Sequence, residues 1–444
     1  MKKVSWVKKA LCLILAGSMA VISAGCGTKS DASSNATSKT ASTASTATTT
    51  GNSGKVKITY ATWQTQELAG MKAIAAKFTE ENPNIEVDVQ LTPWDQYWTK
   101  LQAAANGGTL PDVFWQHANN FYQYASNGKL MDITDKFKNS DKGLSWDNYP
   151  KDLVDFYTVN GKNYGIPKDY DTIGLWYNKK LFDAKGIKYP DETWNWDKLR
   201  DAAKKLTDSS KGVYGFCVPV SLQECEYNFI YQNNGNIISK DKKKSGYDLP
   251  ATEEALQYLL NIANTDKSSP TVSQFSNTTY EQYFLSGKVA MCLFGSWNVA
   301  DFLASDYVKK NCDVAIIPQG KTKATIYNGL ANCIAANTKH PDESWKFLEY
   351  LGGKEANMIQ SQCGSAIPAY KGCEAGWIDH FKNFNCKIYP QELSYGIMYP
   401  NSPSQPTWSQ YENDILPKIF KGTLTLKDGC SQLAQKMNAA IGNE

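Results

Sequence analysis

Between Val56 and Trp63 the chain alternates in a short run of β-branched and aromatic residues, the period-two pattern of a strand. Met71, Ile74, Ala75 and Phe78 follow at helical spacing, which predicts a helix over 68–81 stopped by Asn82 and Pro83. Ile85–Leu91 then reads as a strand, Trp94–Ala105 as a helix and Asp112–Trp115 as a strand. The same grammar recurs later: a strand at Ile173–Tyr177, helices near 196–206 and 251–264, and strands near 289–294 and 313–317. The chain closes with helices near 409–421 and 427–441. Strands alternating with helices predict α/β lobes. No internal repeat and no long interior linker divides the chain into sequential domains.

The head of the chain has a different pattern. Lys2, Lys3, Lys8 and Lys9 precede an apolar run from Ala10 to Ile22, shorter than the roughly 20 helical residues that cross a hydrocarbon core. It reads as a secretory signal over residues 1–25. Ser23, Ala24, Gly25 and Cys26 resemble the lipobox of bacterial lipoproteins, with Ser23 where that motif usually carries Leu. The resemblance implies a lipid-modified Cys26 and a protein anchored at the extracellular face of the cytoplasmic membrane. The alternative is an ordinary cleaved signal followed by an unmodified cysteine. Residues 27–54 are almost wholly Ser, Thr, Ala, Gly, Asn and Lys, a composition without enough apolar surface to fold. Residues 26–54 are therefore expected to be a tether.

The remaining residues exceed what one hydrophobic core usually organises, so two domains are expected. A net charge of +3 says little, but Arg200 is the only arginine. Arginine is favoured where phosphate or carboxylate is gripped bidentately, so its scarcity points away from nucleic acid; a lysine site for an anion stays open. Outside the signal and Cys26, nine cysteines lie between Cys217 and Cys430 without a CxxC pair. That spacing predicts neither a metal nor a redox site. Buried free thiols are expected, with at most a local bridge such as Cys363 to Cys373, and no cofactor.

Five segments in order resemble the family 1 extracellular solute-binding proteins, in particular the maltodextrin- and oligosaccharide-binding branch. They are FTEENPNIEVDV (78–89), LPDVFWQH (110–117), YGIPKDYDTIGLWYNKKLF (164–182), FLSGKVAMCLFGSW (284–297) and PNSPSQPTW (400–408). The resemblance spans roughly residues 55–441 and implies an α/β fold of the two-lobed, periplasmic-binding-protein-like clamshell type (type II). Its lobes are discontinuous and joined by a hinge: residues 55–168 with 321–351, and residues 169–320 with 352–444. Crossings are expected near Lys168–Asp171, near Pro318–Lys321 and after Leu351. The implied function is that of a monomeric substrate-binding component of an ABC importer, which holds an oligosaccharide between its lobes and delivers it to a membrane permease.

Sugars present apolar C–H faces and a rim of hydroxyls, so aromatic platforms and hydrogen-bonding side chains are the candidate contacts. Trp63 closes the first strand, and carboxyl ends of strands face the crevice in an open α/β sheet; a core position is the alternative. By the resemblance, Trp115 matches a stacking tryptophan, while Ala118 stands where the family has a ligand-binding aspartate, leaving Gln116 or Asn119 to supply the polar contact. His117 is either a contact or a satisfied structural imidazole. Asp171 matches an acidic contact on the first crossing, and Glu224 and Tyr227 match loosely a glutamate followed by a stacking tyrosine. Trp297 and Trp408 match stacking aromatics, Trp408 having as its alternative a staple onto the following helix.

A glycoside hydrolase would also be rich in aromatics and would set two carboxyls across the scissile bond. Asp171 and Glu224 could be cast in those roles, yet no GxSxG or HExxH motif occurs. A binding protein rather than an enzyme is expected. The remaining alternatives are a surface lectin without a permease, or the same fold holding a peptide or polyamine.

Overall fold

The computed structural model describes residues 54–444. The expected signal, Cys26 and almost all of the tether lie outside the described residues.

Two sheets organise the chain. The first has five strands in the order Ile85–Leu91, Val56–Thr62, Val113–Gln116, Ala331–Ile334, Ile166–Pro167. Its first three strands are parallel, and Ala331–Ile334 runs antiparallel to both of its neighbours. Val113–Gln116 and Ala331–Ile334 are buried at every position, as expected of central strands covered on both faces. Helix Leu68–Glu81 lies on this sheet, with Phe78 5.0 Å from Phe347 of helix Pro341–Gly352.

The second sheet is antiparallel, with Ile173–Asn178 between Cys312–Ala315 and Met291–Gly295. Alternation along its central strand feeds two layers. Ile173, Leu175 and Tyr177 join a core with Leu256, Leu416 and Leu433. Trp176 points the other way, 4.5 Å from Phe302 and 4.8 Å from Phe384. The two sheets with their helices make the two lobes.

The lobes are joined by segments that lie side by side. Asp171 bridges Asn328, Lys168 N donates to Leu330 O at 2.8 Å, and Ile367–Pro368 pairs with Asp169–Tyr170. The chain leaves the first sheet after Ile166–Pro167 and enters the second at Ile173. The second crossing lies at Asn328–Leu330 and not at Pro318–Lys321, because Gln319 exchanges backbone hydrogen bonds with Trp194 and Trp196 inside the second lobe. Thr325–Tyr327 likewise stays there, paired with Gly396–Met398. The chain also remains with the first lobe beyond Leu351: helix Lys354–Gln362 packs on Leu68–Glu81, and the second lobe is regained by Phe384. All nine cysteines from Cys217 to Cys430 are free, so the bridge between Cys363 and Cys373 does not form.

Candidate ligand cleft

On the first lobe the carboxyl ends of the parallel strands carry an aromatic cluster. Trp63 follows Val56–Thr62 and meets Trp94 edge-on at 5.4 Å, Tyr97 at 4.9 Å and Trp115 at 5.1 Å. Trp94 opens helix Trp94–Gly107 just after Ile85–Leu91 and is 43% exposed. Trp63 supports it from beneath and is itself buried.

Trp115 lies deeper than a platform requires. It has no exposed surface, its Nε1 donates to Tyr60 Oη at 2.6 Å, and Lys168 Nζ sits 4.1 Å from its ring centre. Lys168 is itself held by Glu67 at 2.7 Å and Asp169 at 2.6 Å, all three groups buried. Burial would lower the Lys168 pKa, but the two carboxylates reverse this and raise it, while burial pushes Glu67 up to about 7 against the pull of Lys168. Trp115 is thus a floor between core and hinge.

Gln116 is fully buried, and neither its side-chain nitrogen nor its oxygen has a protein partner. An unpartnered buried amide costs about 1–3 kcal/mol, which favours a polar group reaching it. Next to it, His117 Nδ1 accepts from Asn119 N at 3.2 Å, and its Nε2 lies 3.3 Å from the Asn328 amide. Burial lowers its pKa to about 4 in spite of Asp169, so it is neutral at physiological pH.

The hinge side contributes Asp171, whose Oδ1 accepts from Gln223 Nε2 at 2.6 Å and Asn328 N at 3.1 Å. Burial and then the nearby Asp169 charge raise its pKa well above the usual range.

The second lobe offers Trp297, 36% exposed, directly after strand Met291–Gly295. A Cβ on Gly295 would lie 2.0 Å from the Trp297 ring, so only glycine lets the indole fold back over the strand end. Glu224 is buried behind this turn. Its Oε1 accepts from Gly295 N at 3.2 Å, and its Oε2 from Ser221 Oγ at 3.1 Å and from Tyr280 Oη. Burial pushes its pKa up to about 7 against those donors.

Two expected contacts are interior. Tyr227 has no exposed surface and donates to both Glu412 oxygens, at 2.8 and 3.0 Å. Trp408 is equally buried, with Nε1 donating to Ser402 Oγ at 2.9 Å. Its indole packs into the second-lobe core from within helix Gln405–Phe420, so it is neither a ligand platform nor a residue ahead of the helix.

Side chains meet across the cleft. Gln405 Nε2 donates to Asn119 Oδ1 at 2.9 Å, and Gln66 donates to Asp301, one turn beyond Trp297. Gln66, Asp301, Gln223 and Trp94 were not among the sequence candidates. Trp94 was within reach of the rule that selected Trp63, since both follow parallel strands of one sheet.

Two α/β lobes joined by three adjoining crossings, each lobe with an exposed indole at its strand ends, are the architecture of a protein that captures a small solute by lobe closure. The chain belongs to the bacterial extracellular solute-binding protein family, whose model matches residues 62–358. It is 26% identical over 384 residues to the multiple sugar-binding protein of Streptococcus mutans, covering 83% of this chain and 84% of that protein. It is 22% identical over 450 residues to the galactooligosaccharide-binding protein of Bacillus subtilis, covering 98% of this chain and 97% of that one. Among solved structures, it resembles an ABC substrate-binding protein from Listeria monocytogenes in complex with cycloalternan. That match has 27% identity, a TM-score of 0.81, and covers 87% of this chain and 99% of the other. No helix among the described residues is long and apolar enough to cross a membrane.

Proposed function

We propose that the protein is the extracellular substrate-binding component of an ABC importer, and that it captures an oligosaccharide between Trp94, backed by Trp63, and Trp297. The observation that carries this reading is the placement of two exposed indoles at strand ends of opposite lobes, with Gln66 and Asp301 in contact beside them. Flat apolar faces on both walls suit the C–H surfaces of pyranose rings. Asn119, His117 and Asp171 supply a polar side for hydroxyls. The oligosaccharide ligands in the names of the Listeria and Bacillus relatives support the same class. The protein acts as a monomer without a cofactor and releases its ligand unchanged to the permease. Cys26 carries the lipid that holds it at the outer face of the membrane, with residues 27–54 as the tether.

Calorimetric titration against cycloalternan, galacto-oligosaccharides, maltodextrins, xylo-oligosaccharides and a polyamine tests the reading. Saturable one-to-one binding of an oligosaccharide, recovered intact, is expected. Cleavage of the bound sugar, or binding of the polyamine alone, would overturn it.

A further inference from the structure

The family resemblance casts Glu224 as a ligand contact, but the structure gives its oxygens other work. Oε1 accepts from Gly295 N, and Oε2 is held by Ser221 and Tyr280. The Tyr280 ring in turn stacks on Phe294 at 5.6 Å with 15° between the planes. Only 4% of Glu224 is exposed, which leaves little of it for a ligand to reach.

Two of the groups this carboxylate touches, Gly295 and Tyr280, belong to or pack on one strand end. Gly295 is the last residue of its strand, and the next amide, Ser296 N, donates to Thr172 O at 3.1 Å on the hinge side. The backbone entering Trp297 is therefore fixed by two consecutive amides, one on Glu224 and one on the start of the central strand. Trp297 itself is exposed and folds back over Gly295. Its orientation is set by the turn beneath it.

We propose that Glu224 is a positioning residue, which acts on the ligand through Gly295 by holding the Trp297 indole in its stacking orientation. The proposal rests on the reading of Trp297 as a stacking platform. A backbone amide needs an acceptor and not a charge, so glutamine can replace Glu224 here and alanine cannot.

The test uses the ligand-free full-length protein, by hydrogen exchange at the Gly295 amide and by fluorine NMR of 5-fluorotryptophan-labelled protein, the Trp297 resonance being assigned with Trp297→Phe. Glu224→Ala should accelerate Gly295 exchange about ten-fold and shift the Trp297 resonance, with exchange in the first-lobe strands unchanged. Glu224→Gln should restore both readouts. Where Glu224→Ala unfolds the lobe, Glu224→Met, of similar length and without an acceptor, takes its place. Wild-type exchange and resonance in the acceptor-free variant, or failure of Glu224→Gln to restore them, would overturn the proposal. Because no ligand is present, failure of every sugar to bind the wild-type protein would count against the ligand class and leave this result standing.

Discussion

Gln405 reaches from the start of a second-lobe helix and donates its side-chain amide to Asn119 Oδ1 on the first lobe at 2.9 Å. This bond spans the cleft, so it exists only when the lobes are close. A neutral hydrogen bond contributes about 0.5–1.5 kcal/mol net. Gln405→Ala should therefore shift the ligand-free protein toward the open form and weaken ligand binding by roughly two- to ten-fold. Small-angle scattering should show a larger ligand-free particle and titration the weaker binding. An unchanged profile together with unchanged affinity would mean that the bond contributes nothing to closure.

Trp297 and Trp408 should respond in opposite ways to truncation. Trp297→Ala removes an exposed indole and should lower oligosaccharide affinity more than ten-fold, about 1.4 kcal/mol, with little change in ligand-free melting. Trp408→Ala empties a buried site and should lower stability by about 3–5 kcal/mol. Titration and thermal melts of both variants check this. A Trp297→Ala protein that melts far lower yet binds normally would move the platform to Trp63 and Trp94.

Removing Lys168 strands two buried carboxylates, Glu67 and Asp169. Breaking a buried pair by deleting one partner typically costs about 3–5 kcal/mol, so Lys168→Met should show a loss of that size in urea unfolding. Lys168→Met combined with Glu67→Gln should lose less, since one buried charge goes with its partner. Equal losses in the single and double variants would show that Glu67 is not coupled to the lysine.

Stability should fall as pH rises from about 4.5 to about 8, between the usual and the raised carboxyl pKa values. Burial raises Glu224 to about 7 and Glu226 and Glu412 to about 8, from a usual 4.5. The folded state keeps these protons where the unfolded chain releases them, so their stabilisation is lost progressively as pH climbs from about 4.5 to about 8. His117 works in the other direction, its pKa lowered to about 4 from 6.5, and its contribution is complete above 6.5. Urea midpoints between pH 6.5 and 8 should therefore decline, and Glu412→Gln should flatten the decline. A flat wild-type profile over that window would rule out protonated glutamates in the second lobe.

Local periodicity carried most of the elements. The helix read from Met71, Ile74, Ala75 and Phe78 runs from Leu68 to Glu81, and those four residues are its buried stripe with Gly70. The second crossing was misplaced because nothing local marks Pro318–Lys321 as second-lobe chain; the bonds of Gln319 to Trp194 and Trp196 are made across sequence. The tryptophans were harder for the same reason. Trp297 and Trp408 both follow small or proline-rich residues, yet one is open and the other is sealed by helices that contribute Leu416 and Leu433. Glu224 was matched by resemblance to a glutamate followed by a stacking tyrosine, but its donors at Gly295, Ser221 and Tyr280 come from three separate segments.

The place of Ala331–Ile334 in the first sheet has a consequence for how the molecule is made. It sits between Val113–Gln116 and Ile166–Pro167, so Ile166–Pro167 has no strand to pair with until the chain has been synthesised past residue 334. The second lobe waits still longer, for the terminal helix Leu426–Ile441 that supplies Leu433 to its core. Pairing across such sequence separation is slow, because loop closure must precede the contacts that reward it. A nascent chain would therefore hold no finished lobe through most of its synthesis, and would stay short of its folded state until the last helix is made.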